Sequence, residues 1–460
     1  MGKILLKNIV KEGVESDILI EGNRIAGISP SEASAYAADD DTCVVDCTGK
    51  AVVPGFVNMH THAGMSMMRG IGEDIAFHEW LARIWQIESK IDDEWVYHAT
   101  KVACLEMIKT GTTTFNDHYW HMPMAHKAAM DLGLRPVLAY VICDRNDPEE
   151  SERQKKQCEE MYAEAQTWND HSLFAIAIHA IYSVREEMIV WATQFARERG
   201  LKIHIHVSET QKEIDDCMAQ HGGMSPVEYL DSLGILGPDV IAAHTLWLSE
   251  NDIRILGERG VTCVHNVNSN LKLASGYKFL YNELRDAGAN VCLGTDGCAS
   301  SNNLDMLETM KTAAMIQKAW RNDPSAMPIA EIMSMATANA GKALGLEIGE
   351  IREGALADLL IVDTENYNFL SPGTFEANLI YSAHSDCIDS VICNGEFIMR
   401  SRVVPGEKEI LAEARKVINK LNYGSESRKD HEGCGVHCSQ TRRQETFCRN
   451  RSRQRSWQAC

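Results

Sequence analysis

The chain runs to 460 residues, 45% of them hydrophobic, which allows a large core and more than one ordinary domain. Its formal charge of −20 repels nucleic-acid phosphates and argues against a polymer of that kind as a partner. No run of about 20 apolar residues appears, so no spanning helix and no membrane partner is expected.

The opening stretch, "MGKILLKNIVKEGVESDILIEG", alternates as two strands about a turn at Glu12-Gly13 and lacks a signal-peptide pattern. Residues 1–53 are read as the first part of a small β-sandwich. Fifteen cysteines, among them Cys104, Cys143, Cys263 and Cys292, are scattered through apolar segments. They read as reduced core residues of a cytoplasmic protein.

An apolar run then breaks at Pro54-Gly55, resumes as "FVNM" and ends in His60-Thr61-His62. Residues two apart on a strand face the same way, so both imidazoles aim at one point. That geometry suits a metal held from one side, and equally two hydrogen-bonded histidines in a polar core. Seven further apolar runs follow, at 111–117, 135–142, 173–180, 201–209, 240–245, 261–267 and 290–296. They are near-continuous, as parallel strands buried on both faces are. Helical patterns separate them. In "SENDIRILGERG", Ser249 can cap a helix and Gly260 can end it. Eight strand–helix units predict an α/β fold, a closed TIM-like (β/α)8 barrel over 54–347.

Six of the eight runs end in polar residues: His60/His62, Asp117/His118, His179, His206/Glu209, His244 and Asp296. His265 lies late in the seventh. In such a barrel the C-terminal strand ends meet around one mouth, where chemistry resides. Past the barrel, "GEIREGALADLLIVDTENY" and "IDSVICNGEFIMRSRVV" supply the second part of the β-sandwich, over 348–405. A helix within 406–423 puts Ile410, Leu411, Ala414, Val417, Ile418 and Leu421 on one face. From Arg428 onward there are eight basic and three acidic residues, so the rest of the chain carries −25. Cys434, His437 and Cys438 lack a second pair at ligand spacing, and 424–460 reads as a disordered basic tail.

Taken in order, "PGFVNMHTH", "HIHVSET", "AAHT", "HNVNSNLKLASG" and "LGTDGCASSNNLDM" resemble the amidohydrolase superfamily. They are most similar to its 5-methylthioadenosine/S-adenosylhomocysteine deaminase branch, over the chain up to about residue 423. The resemblance implies hydrolytic deamination of an adenosine-type nucleoside: water adds to the ring carbon bearing the amino group, and ammonia leaves. A divalent metal makes hydroxide available near neutral pH, and a catalytic site keeps one position open for it. The family pattern assigns His60, His62, His206 and Asp296 to the metal. His204 faces the same way as His206 and is read as a core histidine one layer deeper. By resemblance Glu209 protonates a ring nitrogen and moves protons toward the leaving amine. Asp296 can take the proton of the attacking water, and His244 orients that water or stabilises developing charge.

Relatives with two metals bridge them with a modified lysine on the fourth strand. Here that strand reads "LFAIAIHA", so one metal is expected. Zinc suits three imidazoles and a carboxylate, with iron and manganese as alternatives. By resemblance Glu88 accepts hydrogen bonds from ribose hydroxyls and His179 contacts substrate, as do Glu209 and Asp296. Residues 64–94 form a long loop at the mouth, a natural substrate cover in which Trp80, Trp85, Met65, Met67 and Met68 could line an apolar cleft. The branch often has an arginine just after the third strand, whereas Arg145 comes several residues late. Competing readings are a guanine-, pterin- or triazine-type member of the superfamily, and a non-catalytic metal-stabilised barrel. Absence of Glu209, His244 or Asp296 would favour the last, and all three are present. A homo-oligomer is compatible with the sequence.

Overall fold

Period-two alternation makes the first thirty residues a meander. In the computed structural model, which describes residues 2–36 and 38–420, it comprises β1 (Lys3–Lys11), β2 (Val14–Glu21) and β3 (Arg24–Pro30), paired antiparallel. Glu12 and Gly13 turn the first hairpin with φ of 50° and 81°, the left-handed pair that matches strand twist. β4 (Thr42–Asp46) and β5 (Lys50–Pro54) complete the N-terminal group. The chain then enters β6 (Phe56–Thr61), β7 (Thr112–Asp117), β8 (Arg135–Ile142), β9 (Leu173–Ile178) and β10 (Lys202–Val207). β11 (Val240–His244), β12 (Thr262–His265) and β13 (Asn290–Leu293) follow, and β14 (Leu359–Asp363), β15 (Ile388–Cys393) and β16 (Glu396–Met399) come last.

β6 to β13 form one parallel sheet in chain order, with helices between the strands, as the eight-unit pattern predicts. Helix Glu250–Arg259 is capped by Ser249 and ended by Gly260 at φ 68°, where the sequence placed both signals. The sheet curls until its last strand meets its first. There the Asp296 amide donates to the His60 carbonyl at 2.9 Å. Asn58 locks the seam: its Nδ2 donates to Thr295 Oγ1 at 2.7 Å, and its Oδ1 accepts from the Thr295 amide at 3.1 Å. Gly294 makes this approach possible. A Cβ there would lie 2.8 Å from His60 Cβ and 2.5 Å from Asn266 Oδ1.

The sandwich expected from both chain ends is built from one branched eight-stranded sheet, in the order β16-β15-β14-β5-β1-β2-β3 with β4 also on β1. β1 changes neighbour along its length, from β4 at residues 3–7 to β5 at Val10. Its core holds Ile4, Leu6, Ile18, Ile25, Leu359 and Ile392. Buried Arg135, at the start of β8, ties the barrel to this sheet by a two-pronged contact with Asp358, both bonds 3.2 Å. Residues Met1–Val417 make one compact unit. In helix Glu407–Lys420, Ile410, Ala414 and Val417 are buried. Leu421, expected on that face, and the tail expected over 424–460 lie outside the described residues. The eleven described cysteines are free thiols, ten of them buried. No helix among the described residues is long and apolar enough to cross a membrane.

Because Gly294 faces the main chain of His60, Gly294→Ala should overpack the seam and cost about 1–3 kcal/mol. Denaturant unfolding checks this; unchanged stability would show that the two strands can separate freely there.

Candidate active site

Each polar strand end predicted from the sequence arrives at the same mouth. His60 lies on β6 and His62 just past it, His206 on β10, His244 at the end of β11, and Asp296 three residues beyond β13. The backbone bends sharply at these exits. Ser208, His244, Thr245 and Asp296 all have left-handed φ, between 42° and 73°. Such conformations cost of order 1–3 kcal/mol each in a non-glycine residue and gather where a structure is over-determined. Here main-chain bonds hold them: the Thr245 amide to Val207 O at 2.9 Å and the Asp296 amide to His60 O.

The histidine rings are set by their Nδ1 partners. His62 Nδ1 donates to the His118 carbonyl at 2.5 Å, and His206 Nδ1 donates to the His179 carbonyl at 2.7 Å. A neutral imidazole that donates from Nδ1 keeps its lone pair on Nε2, the form a metal requires. His62 Nε2 stands 3.2 Å from Asp296 Oδ1, and His60 Nε2 stands 3.4 Å from the same oxygen. His60 Nε2 is buried and makes no hydrogen bond among the described residues. His244 differs. Its Nδ1 faces the amide nitrogens of Asn270 at 3.0 Å and Asn266 at 3.4 Å, so it accepts there and carries its proton on Nε2. Its Nε2 lies 3.8 Å from Glu209 Oε2, beyond hydrogen-bond distance. Three donor triads have ligand atoms within 4.8 Å of one another: His60/His62/Asp296, His60/His206/His244 and His60/His118/His204. His60 belongs to all three. The donor chemistry, imidazole lone pairs beside a carboxylate, fits a divalent cation.

Burial pushes both carboxyl groups up, but their neighbours differ. Burial would raise Asp296, but the two imidazoles beside it, His60 and His62, outweigh burial and hold it well below the usual carboxylate range. Ser269 Oγ, at 2.6 Å, and the Gly297 amide, at 2.8 Å, also donate to it. Among the described residues Glu209 accepts only one long hydrogen bond, from Ser275 Oγ at 3.5 Å. Burial pushes it well above the ordinary value, and the charges of Asp296 and Glu213 push it further. Burial thus favours its protonated form, as proton donation requires. Burial likewise lowers His244 and His179 to about 3, so both are neutral.

Glu213 organises the segment that carries Glu209. Its two oxygens accept from the Ser208 amide at 2.9 Å and the Glu209 amide at 2.8 Å, while Thr210 caps helix Gln211–Gln220. The cover expected over residues 64–94 includes helix Phe77–Glu88, which sets Trp80, Ile84 and Trp85 against a cavity of about 60 Å³. Glu88, at the end of that helix, and His179, bonded through Nδ1 to Ser183 Oγ at 2.7 Å, line the same cavity. Arg145 lies farther out, its guanidinium 5.4 Å from the Trp85 ring centre. With Glu88 it borders an outer cleft of about 480 Å³. Sequence reasoning passed over Asn270, Ser269, Glu213 and Ser275, whose Oγ lies 3.5 Å from Glu209 Oε1. Three of them lie in the quoted stretch "HNVNSNLKLASG", so a signal was present without a role.

Residues 51–398 match the amidohydrolase family, and the chain belongs to it. It is 42% identical over 413 residues to a 5'-deoxyadenosine deaminase of Methanoregula boonei, covering 89% of this chain and 93% of that one. It is 41% identical to a 5-methylthioadenosine/S-adenosylhomocysteine deaminase of Thermococcus kodakarensis, covering 84% and 90%. Among solved structures, an adenosine deaminase from Xanthomonas campestris with bound zinc superposes with a TM-score of 0.85. The identity is 30%, over 91% of this chain and 98% of that one.

Burial raises Glu213 from 4.5 to about 7, even though two main-chain amides favour its charged form. A carboxyl raised on folding stabilises fully below its unfolded value and loses that contribution as pH rises through its folded value. The unfolding free energy of the original chain, minus that of Glu213→Gln, should therefore fall between about pH 4.5 and 7. The fall should be about 1.4 kcal/mol for each unit of the shift. A flat difference would show that Glu213 is not held neutral.

Proposed function

We propose that this chain is a metal-dependent hydrolytic deaminase. It converts an adenosine-type nucleoside (5'-deoxyadenosine, 5'-methylthioadenosine, S-adenosylhomocysteine or adenosine) to the inosine analogue and ammonia. The observation that carries the proposal is the pairing of Asp296, ionised between two imidazoles, with Glu209, kept acidic by burial, in one barrel mouth. The names of the relatives support it, and they favour an adenosine ring over a guanine, pterin or triazine.

In this reading His60, His62, His206 and Asp296 hold one divalent cation. Zinc is the first candidate, the ion in the Xanthomonas structure, with iron and manganese behind it. β9 offers no lysine that could bridge a second ion. When bound, the cation supplies hydroxide near neutral pH. Glu209 gives its proton to the ring nitrogen beside the attacked carbon. Asp296 takes the proton of the attacking water and returns it to the departing amine; as ammonia leaves, the new ring hydroxyl gives its proton back to Glu209 and becomes the carbonyl. The Nε2 proton of His244 steadies the oxygen as charge develops on it. Glu88 accepts from the ribose hydroxyls, and His179 bounds the substrate opposite Trp85. The central cavity, about 60 Å³, is smaller than the about 300–1,000 Å³ usual for small-molecule sites.

The same proposal divides the chain at 53/54 and 347/348, with the sandwich in 1–53 and 348–405, the barrel in 54–347 and a closing helix in 406–423. β5 ends at Pro54 and β6 starts at Phe56, which supports the first boundary. We place the protein in the cytoplasm, acting on a small nucleoside without a nucleic-acid polymer or a membrane.

Zinc-loaded protein should release ammonia from at least one of these nucleosides, with the ultraviolet shift of adenine to hypoxanthine. Turnover of guanine or a triazine with none of any adenosine analogue would overturn the assignment. Glu209→Gln should retain metal and lose about 10²–10⁴-fold in kcat. An unchanged rate would remove Glu209 from the chemistry.

A further inference from the structure

His60 stands apart from the other histidines proposed as ligands. His62 and His206 donate from Nδ1 to main-chain carbonyls, whereas His60 Nδ1 meets the ring of His204, with Nε2 at 2.8 Å. Both rings are fully buried, their centres are 4.9 Å apart, and their planes are nearly perpendicular at 84°. We propose that His204 is a positioning residue that fixes the tautomer of His60, and thereby sets the affinity of the site for its divalent cation. The inference rests on the ligand reading given above.

A neutral imidazole carries one N–H and one lone pair. If His60 presents its lone pair from Nε2, its proton is on Nδ1. That proton has one neighbour to go to, His204 Nε2, which must then supply a lone pair. His204 in turn carries its own proton on Nδ1. The opposite arrangement places the His60 proton on Nε2, against Asp296 Oδ1 at 3.4 Å, and closes the position to a cation. The pair therefore has two settings, and one of them binds metal.

The surroundings of His204 fit this role and not that of filler. Its Nδ1 is buried with no hydrogen-bond partner among the described residues. A buried polar atom left unpaired costs about 1–3 kcal/mol, which a leucine at this position would not incur. In this arrangement His204 Nε2 accepts from His60 and its Nδ1 carries the proton, so it has no lone pair left for a cation. His204 and His206 share one face of β10, so one strand supplies both a ligand and the support for a ligand from β6. Metal-bound histidines depend on such partners, and losing one costs about 10–100-fold in affinity.

The test measures zinc affinity of the metal-stripped full chain by competition with a chelator, independently of activity. His204→Leu, which cannot accept, should bind zinc about 10–100-fold more weakly, and His204→Gln, whose amide oxygen reaches the Nε2 position, should stay within about threefold of the original. In a His60→Ala background, His204→Leu should have no further effect, because His204 acts through His60. Equal affinity of His204→Leu and the original chain overturns the proposal. So does a loss in His204→Gln as large as in His204→Leu, or the same loss with and without His60. If His204→Leu does not fold, His204→Asn, whose amide stops at the Nδ1 position, takes its place with the same expectations. Failure of the unaltered chain to bind zinc, iron(II) or manganese would instead overturn the ligand reading, and this inference with it.

Discussion

Asp296 meets His60 and His62 only because the last barrel strand closes against the first. The seam is short. It consists of the Asp296 amide on the His60 carbonyl, the Asn58 side chain spanning to Thr295, and a glycine at 294 that lets the two backbones touch. Asn58 and Thr295 are 237 residues apart in the chain. Closing so long a loop adds little entropy beyond closing a shorter one, since the cost grows only with the logarithm of length. The closure brings together one strand that ends in two imidazoles and one that leads to a carboxylate. The other polar strand ends then take their places around the same mouth.

Enclosure does the rest. The same burial acts on Asp296 and Glu209 and produces opposite results. Asp296 sits between two imidazoles, a serine hydroxyl and an amide, and stays ionised. Glu209 has apolar and anionic surroundings, with Ser275 Oγ at 3.5 Å, and keeps its proton. One carboxyl suits a cation or a proton acceptor, and the other suits a proton donor. The histidines divide in a similar way. Carbonyls behind His62 and His206 turn their lone pairs inward, while amides behind His244 turn its proton inward.

Much of this was legible in the sequence. Eight apolar runs, six of them with polar ends, announced the barrel and its mouth, and the alternating ends of the chain announced the second sheet. Ser249 and Gly260 marked a helix that the structure places between those residues. Other features were not legible, for identifiable reasons. The parity of a strand tells which way His204 and His206 point, but not what stands opposite His204. The neighbour of His204 is His60, 144 residues earlier. Glu213 reads as a helix residue until Ser208 and Glu209 are seen to donate to it. Arg145 reads as misplaced until helix Phe77–Glu88 brings Trp85 beneath it.

By itself, then, the sequence determined the strand–helix alternation, the face on which each polar side chain lies and the donor types available. These follow from local periodicity and side-chain chemistry, which need no knowledge of distant neighbours. The tertiary structure decided which nitrogen of each histidine faces inward, which carboxyl keeps its proton and which residues only support others. Those properties belong to pairs and to enclosure, and both arise only when strands far apart in the chain close into one barrel.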